Sequence, residues 1–216
     1  MKAFIFDMDG LMFDTERVFV SAWDYAGEKM GVGKAGYMCL KTLGMNTAAC
    51  EQAWRDEFAE QVDTAALWAY SREYMDAYYS KYTVSAKKGL HDLLTYLRRK
   101  GYKLAVASST KRATVEKHLL SAGVRGYFDA VITGDMVEKS KPEPDIYLRA
   151  AMELGVKPEE CYALEDSRNG LLSAHAAGMK VIMVPDLWQP DDVVKQFILG
   201  PFESLLDVRD WLVARQ

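Results

Sequence analysis

Five short apolar runs punctuate the chain: Ala3-Phe4-Ile5-Phe6, Leu104-Ala105-Val106-Ala107, Ala130-Val131-Ile132, Tyr162-Ala163-Leu164 and Val181-Ile182-Met183-Val184. Each is continuous rather than alternating, the pattern of a strand covered on both faces in a parallel sheet. Helical patterns separate the later runs. Leu90, Leu93, Leu94 and Leu97 recur at helical spacing ahead of Gly101, and Val115, Leu119 and Ala122 ahead of Gly123. Ile146, Ala150 and Leu154 follow Pro144 and lead to Gly155, while Leu172 and Ala176 lead to Gly178. Proline at the entry and glycine just past the exit suit the two ends of a helix. Strand alternating with helix predicts right-handed crossovers and an α/β, doubly wound, Rossmann-like parallel sheet.

Residues 15–83 break this rhythm. They carry helical patterns only: Phe19, Ala22, Ala26 and Met30; Cys50, Ala53, Trp54 and Phe58; Trp68, Met75, Tyr79 and Tyr82. A helical block placed straight after the first strand predicts a small inserted all-helical domain over the sheet, with 1–14 and 84–216 forming the core. Its aromatic cluster (Trp68, Tyr70, Tyr74, Tyr78, Tyr79, Tyr82) reads as bundle core in preference to a ligand-stacking face. Neither repeats nor low-complexity segments interrupt the chain.

At 216 residues, half of them hydrophobic and 27% charged, the chain has an ordinary globular balance. The net charge of −4, with 7 basic against 10 acidic residues in the helical block, argues against nucleic acid as a partner. Cys39, Cys50 and Cys161 form no CxxC pair and read as idle thiols of a reducing compartment. The apolar run at the start is too short for a leader, and twenty apolar residues never run together. The expectation is a cytoplasmic monomer without a membrane partner.

In an open parallel sheet, ligands bind beyond the carboxyl ends of the strands. The residues found there are Asp7, Ser108, Thr133-Gly134-Asp135, Glu165-Asp166 and Pro185-Asp186. Converging carboxylates repel one another unless a cation lies between them, and oxygen ligands without His or Cys favour Mg²⁺. Asp7-Met8-Asp9-Gly10 is the sharpest feature: two carboxylates from one loop, with a glycine that lets the chain turn. One could attack as a nucleophile while the other handles a proton.

Asp7-Met8-Asp9-Gly10-Leu11-Met12-Phe13-Asp14-Thr15 resembles the first motif of the haloacid dehalogenase superfamily. Ser108 in Ala-Ser-Ser-Thr, Lys141 in Ser-Lys-Pro-Glu-Pro-Asp and Glu165-Asp166-Ser167-Arg168-Asn169-Gly170 match the other three motifs in order. The helical block sits where the helical cap of the beta-phosphoglucomutase-like and sugar-phosphate phosphatase group belongs. By this resemblance Asp7 is the nucleophile, forming an aspartyl-phosphate, and Asp9 the acid/base. Ser108 and Lys141 hold the phosphate; Asp7, Asp9 (through its backbone carbonyl) and Asp166 hold Mg²⁺; Glu165 supports them or a metal-bound water. Asp14 and Thr15 fit hinge roles, with hinges at 14–15 and 83–87.

The implied substrate is a small phosphorylated metabolite, a sugar phosphate being the family expectation. The group also holds mutases, which carry a histidine where this chain has Phe19 and an arginine in the cap loop that here reads Gly44-Met45-Asn46-Thr47. That departure favours a phosphatase, with the mutase and a non-catalytic phospho-acceptor module as alternatives. Lys139 is expected to be solvated, and Asp135 and Asp186 to be turn residues. His91, His118 and His175 lie on three different helices and form no metal set. Gly31-Val32-Gly33-Lys34-Ala35-Gly36 spells a dinucleotide fingerprint but follows a helix instead of a strand, so it reads as a cap loop.

Overall fold

The computed structural model describes residues 1–42, 47–58 and 62–215, except the side chains of 47–49. Its elements run β1 (Ala3–Phe6), α1 (Glu16–Lys29), α2 (Tyr37–Thr42), α3 (Thr47–Phe58), α4 (Thr64–Lys81), α5 (Leu90–Arg99), β2 (Lys103–Ser108), α6 (Arg112–Ser121) and β3 (Ala130–Thr133). They continue with α7 (Asp145–Leu154), β4 (Cys161–Glu165), α8 (Arg168–Ala176), β5 (Lys180–Met183), β6 (Ile198–Leu199) and α9 (Leu205–Val213). The strands form one parallel sheet in the order β3-β2-β1-β4-β5-β6. The five apolar runs are β1 to β5. The short edge strand β6 and the short helix α2 were not predicted.

Alternate residues of β1 feed two cores. Phe4 and Phe6 face the leucines of α5 and the apolar side of α6 and α9, while Ala3 and Ile5 face α7 and α8. Both faces are covered, which is why the strands read as unbroken apolar runs. A third cluster, built on Trp23, Met38, Trp54 and Leu67, lies within the helical segment. In α4 the buried positions are Thr64, Leu67 and Ser71. The expectation of an aromatic bundle core therefore needs correction in part: Trp68 and Tyr70 do pack on the Trp23 cluster, but Tyr79 packs on the α5 side of the sheet core and Tyr82 is 60% exposed.

Two crossings connect the helical segment to the sheet. They run side by side, with Asp14 N donating to Ser85 O at 2.9 Å and Lys87 N to Met12 O at 2.9 Å. Of the fingerprint-like glycines, Gly31 and Gly33 take left-handed backbone at φ +77° and +80°, and Gly36 serves packing: Gly36 N donates to Asp24 Oδ1 at 2.7 Å, and a Cβ on Gly36 would press on the Val20 carbonyl oxygen of α1. Among the described residues, no helix is long and apolar enough to cross a membrane.

Candidate active site

The sheet order reverses at β1: the chain runs outward through β2 and β3, then returns to place β4 on the other side. This switch point is where an open α/β sheet leaves a crevice. Register pairs Phe6 with both Val106 and Leu164, and Asp7 N donates to Leu164 O at 3.0 Å. Asp7, Ala107 and Glu165 therefore stand at one level of the sheet.

Lys141, on the loop before α7, enters between them. Its Nζ donates to Asp7 Oδ1 at 2.6 Å, to Glu165 Oε1 at 2.6 Å and to Ala107 O at 3.0 Å, which uses all three ammonium protons. All three side chains are buried. Burial alone would depress the lysine, but the carboxylates of Asp7 and Glu165 outweigh it and hold the ammonium above its usual range. Asp7 is raised well above the ordinary aspartate value, first by burial and then by Glu165 and Asp9, against the lowering effect of Lys141.

Glu165 is saturated. Oε1 accepts from Lys141 and from the Tyr147 hydroxyl at 2.7 Å. Oε2 accepts from Asp166 N at 3.2 Å, Ser167 N at 3.3 Å and Ser167 Oγ at 3.1 Å. A Cβ at Gly170 would overlap this carboxylate, so the motif glycine makes room for it. Asp166 is the reverse case: its Oδ1 is buried without a hydrogen-bond partner, and its pKa is pushed well up by burial, then by Glu165 and Asp7.

One carboxylate oxygen from each of Asp7, Glu165 and Asp166 falls within 4.8 Å of the others. Three buried carboxylates set against the one buried ammonium of Lys141 leave an excess of negative charge. An all-oxygen donor set with an orphaned carboxylate oxygen fits a hard divalent cation such as Mg²⁺. Gly10 turns the loop at φ +78°, and its backbone passes so close to Asp166 that any side chain there would overlap the carboxylate.

Asp9, two residues past Asp7 on the same loop, is partly buried. Its Oδ2 accepts from Thr110 Oγ1 at 2.8 Å and from Ser108 Oγ at 3.3 Å. Ser108 Oγ also accepts from Thr110 N at 3.1 Å, fixing the turn ahead of α6, which starts at Arg112. The structure thus brings together Asp7, Asp9, Ser108, Lys141, Glu165 and Asp166, every residue singled out for the site. It leaves Lys139 exposed and Asp135 at the surface, accepting from Thr133.

Several neighbours were not foreseen. Asp186 does more than end a turn: its side chain is 4% exposed and pairs with Lys87 at 2.6 Å, linking β5 to the second crossing. Glu16, in the first turn of α1, has its pKa raised to about 7 by burial and then by Asp9 and Asp186, with Lys87 opposing. Its position directly after the Asp14-Thr15 pair was the available signal. Tyr147 lies six residues past Lys141, beside the predicted core position Ile146. Phe19 is partly buried against the Trp23 cluster. The cap-loop stretch 44–46 falls outside the described residues. His91 and His175 are exposed, and His118 is buried beside Tyr79 and Phe13.

Residues 4–184 match the family model described as haloacid dehalogenase-like hydrolase. The fold and this edge of acids, hydroxyl and lysine define a phosphoric monoester hydrolase, and the chain belongs to the haloacid dehalogenase-like family. It is 32% identical over 204 residues to Protein CbbY of Rhodobacter capsulatus, covering 89% of this chain and 88% of that protein. It is 31% identical over 194 residues to Hexitol phosphatase B of Escherichia coli (strain K12), covering 85% and 83%. A crystal structure of a CbbY variant from Rhodobacter sphaeroides in complex with xylulose-(1,5)bisphosphate superposes with a TM-score of 0.79 at 29% identity, covering 96% of each chain.

Proposed function

We propose that this enzyme is a Mg²⁺-dependent phosphatase that hydrolyses a small phosphorylated sugar or sugar alcohol through a phosphoryl group carried on Asp7. The observation that carries this reading is the buried Asp7–Lys141–Glu165 group beside the orphaned oxygen of Asp166. The relatives named for a hexitol phosphatase activity and for a sugar bisphosphate complex support the substrate class.

A carboxylate attacking a phosphate monoester meets like charge, so neutralisation must come first. Lys141 supplies one positive charge, already seated on Asp7. The Asp7 and Asp166 carboxylates and the Asp9 backbone carbonyl would hold the cation. When bound, Mg²⁺ neutralises and orients the phosphoryl oxygens. The Ser108 hydroxyl, now on Asp9, becomes a donor to a phosphoryl oxygen.

Asp7 attacks phosphorus through Oδ2, the oxygen that Lys141 does not engage, and the bond from phosphorus to the substrate oxygen breaks. Asp9 in its protonated form gives that oxygen its proton, and the alcohol leaves. Asp9, now ionised, takes a proton from a water that attacks phosphorus. The phosphorus–Asp7 bond breaks, and inorganic phosphate departs. Thr110 fixes Asp9 from one side through Oδ2, leaving Oδ1 for the proton. Residues 15–83 act as a cap, hinged on the paired crossings at 14–15 and 83–87, that closes over the site and excludes water.

The test is a panel of sugar phosphates and hexitol phosphates incubated with Mg²⁺ and scored separately for free phosphate and isomerised product. Free phosphate supports the phosphatase; conversion between sugar phosphates without release supports a mutase. Asp7→Asn should remove turnover while the circular dichroism spectrum is retained. Asp9→Asn should be inactive or accumulate labelled phosphoenzyme. Full turnover by Asp7→Asn would remove the nucleophile from the scheme.

A further inference from the structure

Tyr147 lies wholly inside the protein on α7. A tyrosine hydroxyl taken out of water needs a partner. This one donates to Glu165 Oε1 at 2.7 Å, the oxygen that also receives Lys141 Nζ at 2.6 Å. The ring serves too: Lys141 Nζ stands 5.1 Å from its centroid, within reach of a cation–π attraction. One side chain therefore touches both groups that flank Asp7, without touching Asp7 itself.

On the phosphatase reading above, we propose that Tyr147 is a positioning residue: its hydroxyl shares Glu165 Oε1 with the lysine, and its ring steadies the ammonium, so that Lys141 stays directed at Asp7 and the incoming phosphoryl group. The physical reason lies in the bookkeeping of donors. A buried carboxylate oxygen facing a single ammonium forms a tight, localised pair, because little water screens it. A second donor on that oxygen weakens its pull on the cation and fixes where the oxygen sits. All three Lys141 protons are engaged, so one must swing from Asp7 Oδ1 to a phosphoryl oxygen during turnover. That exchange is easiest when Glu165 anchors the lysine without capturing it.

The rival reading, that Tyr147 only fills space between α7 and the sheet, assigns importance to the ring and none to the hydroxyl. Tyr147→Phe separates the two, since it keeps the ring and deletes the donor. The expected result is a kcat lower by about tenfold, with KM and the half-saturating Mg²⁺ concentration each within about twofold, because misplacing a charge by a fraction of an ångström acts on the reacting state. Inorganic phosphate, titrated calorimetrically in the presence of Mg²⁺, should bind several-fold more weakly.

The coupling is specific. In a Glu165→Gln background the added Tyr147→Phe should cost less than about threefold further, because the hydroxyl acts through that carboxylate. Wild-type kcat and phosphate affinity in Tyr147→Phe would overturn the proposal, as would penalties that simply multiply in the double variant. A loss of thermal stability with unchanged kcat and phosphate affinity would also overturn it. If the wild-type protein releases phosphate and Tyr147→Phe matches it, only the positioning role falls. If the wild type releases none from the panel, the phosphatase reading falls, and phosphate affinity still decides the role of Tyr147.

Discussion

Replacing Gly170 with alanine sets helix propensity against the geometry of the site. Gly170 lies in the first turn of α8, and alanine inside a helix ordinarily gains about 1 kcal/mol over glycine. Here the new methyl group would overlap the carboxyl group of Glu165, which is fully buried and held by Lys141, Tyr147, Ser167 and the Asp166 amide. Forcing a methyl into a packed site costs about 1–3 kcal/mol. Displacing the carboxylate weakens at least one charge-assisted hydrogen bond, worth about 1.5–3 kcal/mol. Set against the helix gain, the net destabilisation is about 3 kcal/mol, a fall of roughly 1 M in the urea midpoint at an unchanged slope of a few kcal/mol/M. Gly126→Ala is the internal control, since a methyl there meets no atom within 4 Å and the midpoint should hold or rise slightly. A Gly170→Ala protein as stable as wild type would refute the reasoning, because Glu165 could not then be wedged against that turn. Phosphate release should fall in parallel, as Lys141 loses its anchor.

Two further outcomes follow from the charges at the sheet edge. Chelation of divalent cations should abolish phosphate release, and Mg²⁺ should restore it; turnover that persists after exhaustive chelation would contradict the use of Asp7 and Asp166 as cation ligands. Glu16 makes stability pH-dependent in the metal-free protein. Its folded pKa of about 7 exceeds the ordinary glutamate value of 4.5, so the folded state binds the proton more tightly and stability falls as the pH rises from about 4.5 to about 7. With allowance for partial exposure the fall is about 2 kcal/mol. Asp7 and Asp166, also raised, add to the fall in the same direction, so Glu16→Gln should lessen it without abolishing it in denaturant titrations at stepped pH, and an unaltered profile would remove Glu16 as a contributor.

How far the sequence announces the structure depends on how each residue is positioned. β1 to β5 are legible because burial on both faces leaves no polar residue inside a run. β6 is not, since it is only the two partly exposed residues Ile198 and Leu199 at the edge, with no helical pattern leading into them. α2 has six residues, too few for periodicity to emerge, and the glycines ahead of it invited a loop assignment. The acids of the site are legible because they lie at or just past the ends of β1 and β4, which the parallel register aligns whatever happens between them.

Lys141 is different: it sits on a loop and meets Asp7 across 134 residues of chain, so only its motif, not its periodicity, revealed it. Tyr147 carries no such mark, and Glu16 only its place directly after the Asp14-Thr15 pair. Tyr147 occupies a helix position that any large apolar residue could fill, and only the oxygen across from its ring edge makes the hydroxyl matter. Glu16 looks like an ordinary acid in a first helical turn until the crossings bring it against Asp9 and Asp186. Local chemistry therefore identifies the groups that could react. Packing decides which neighbours hold them in place, and that second set is read from contacts between distant segments.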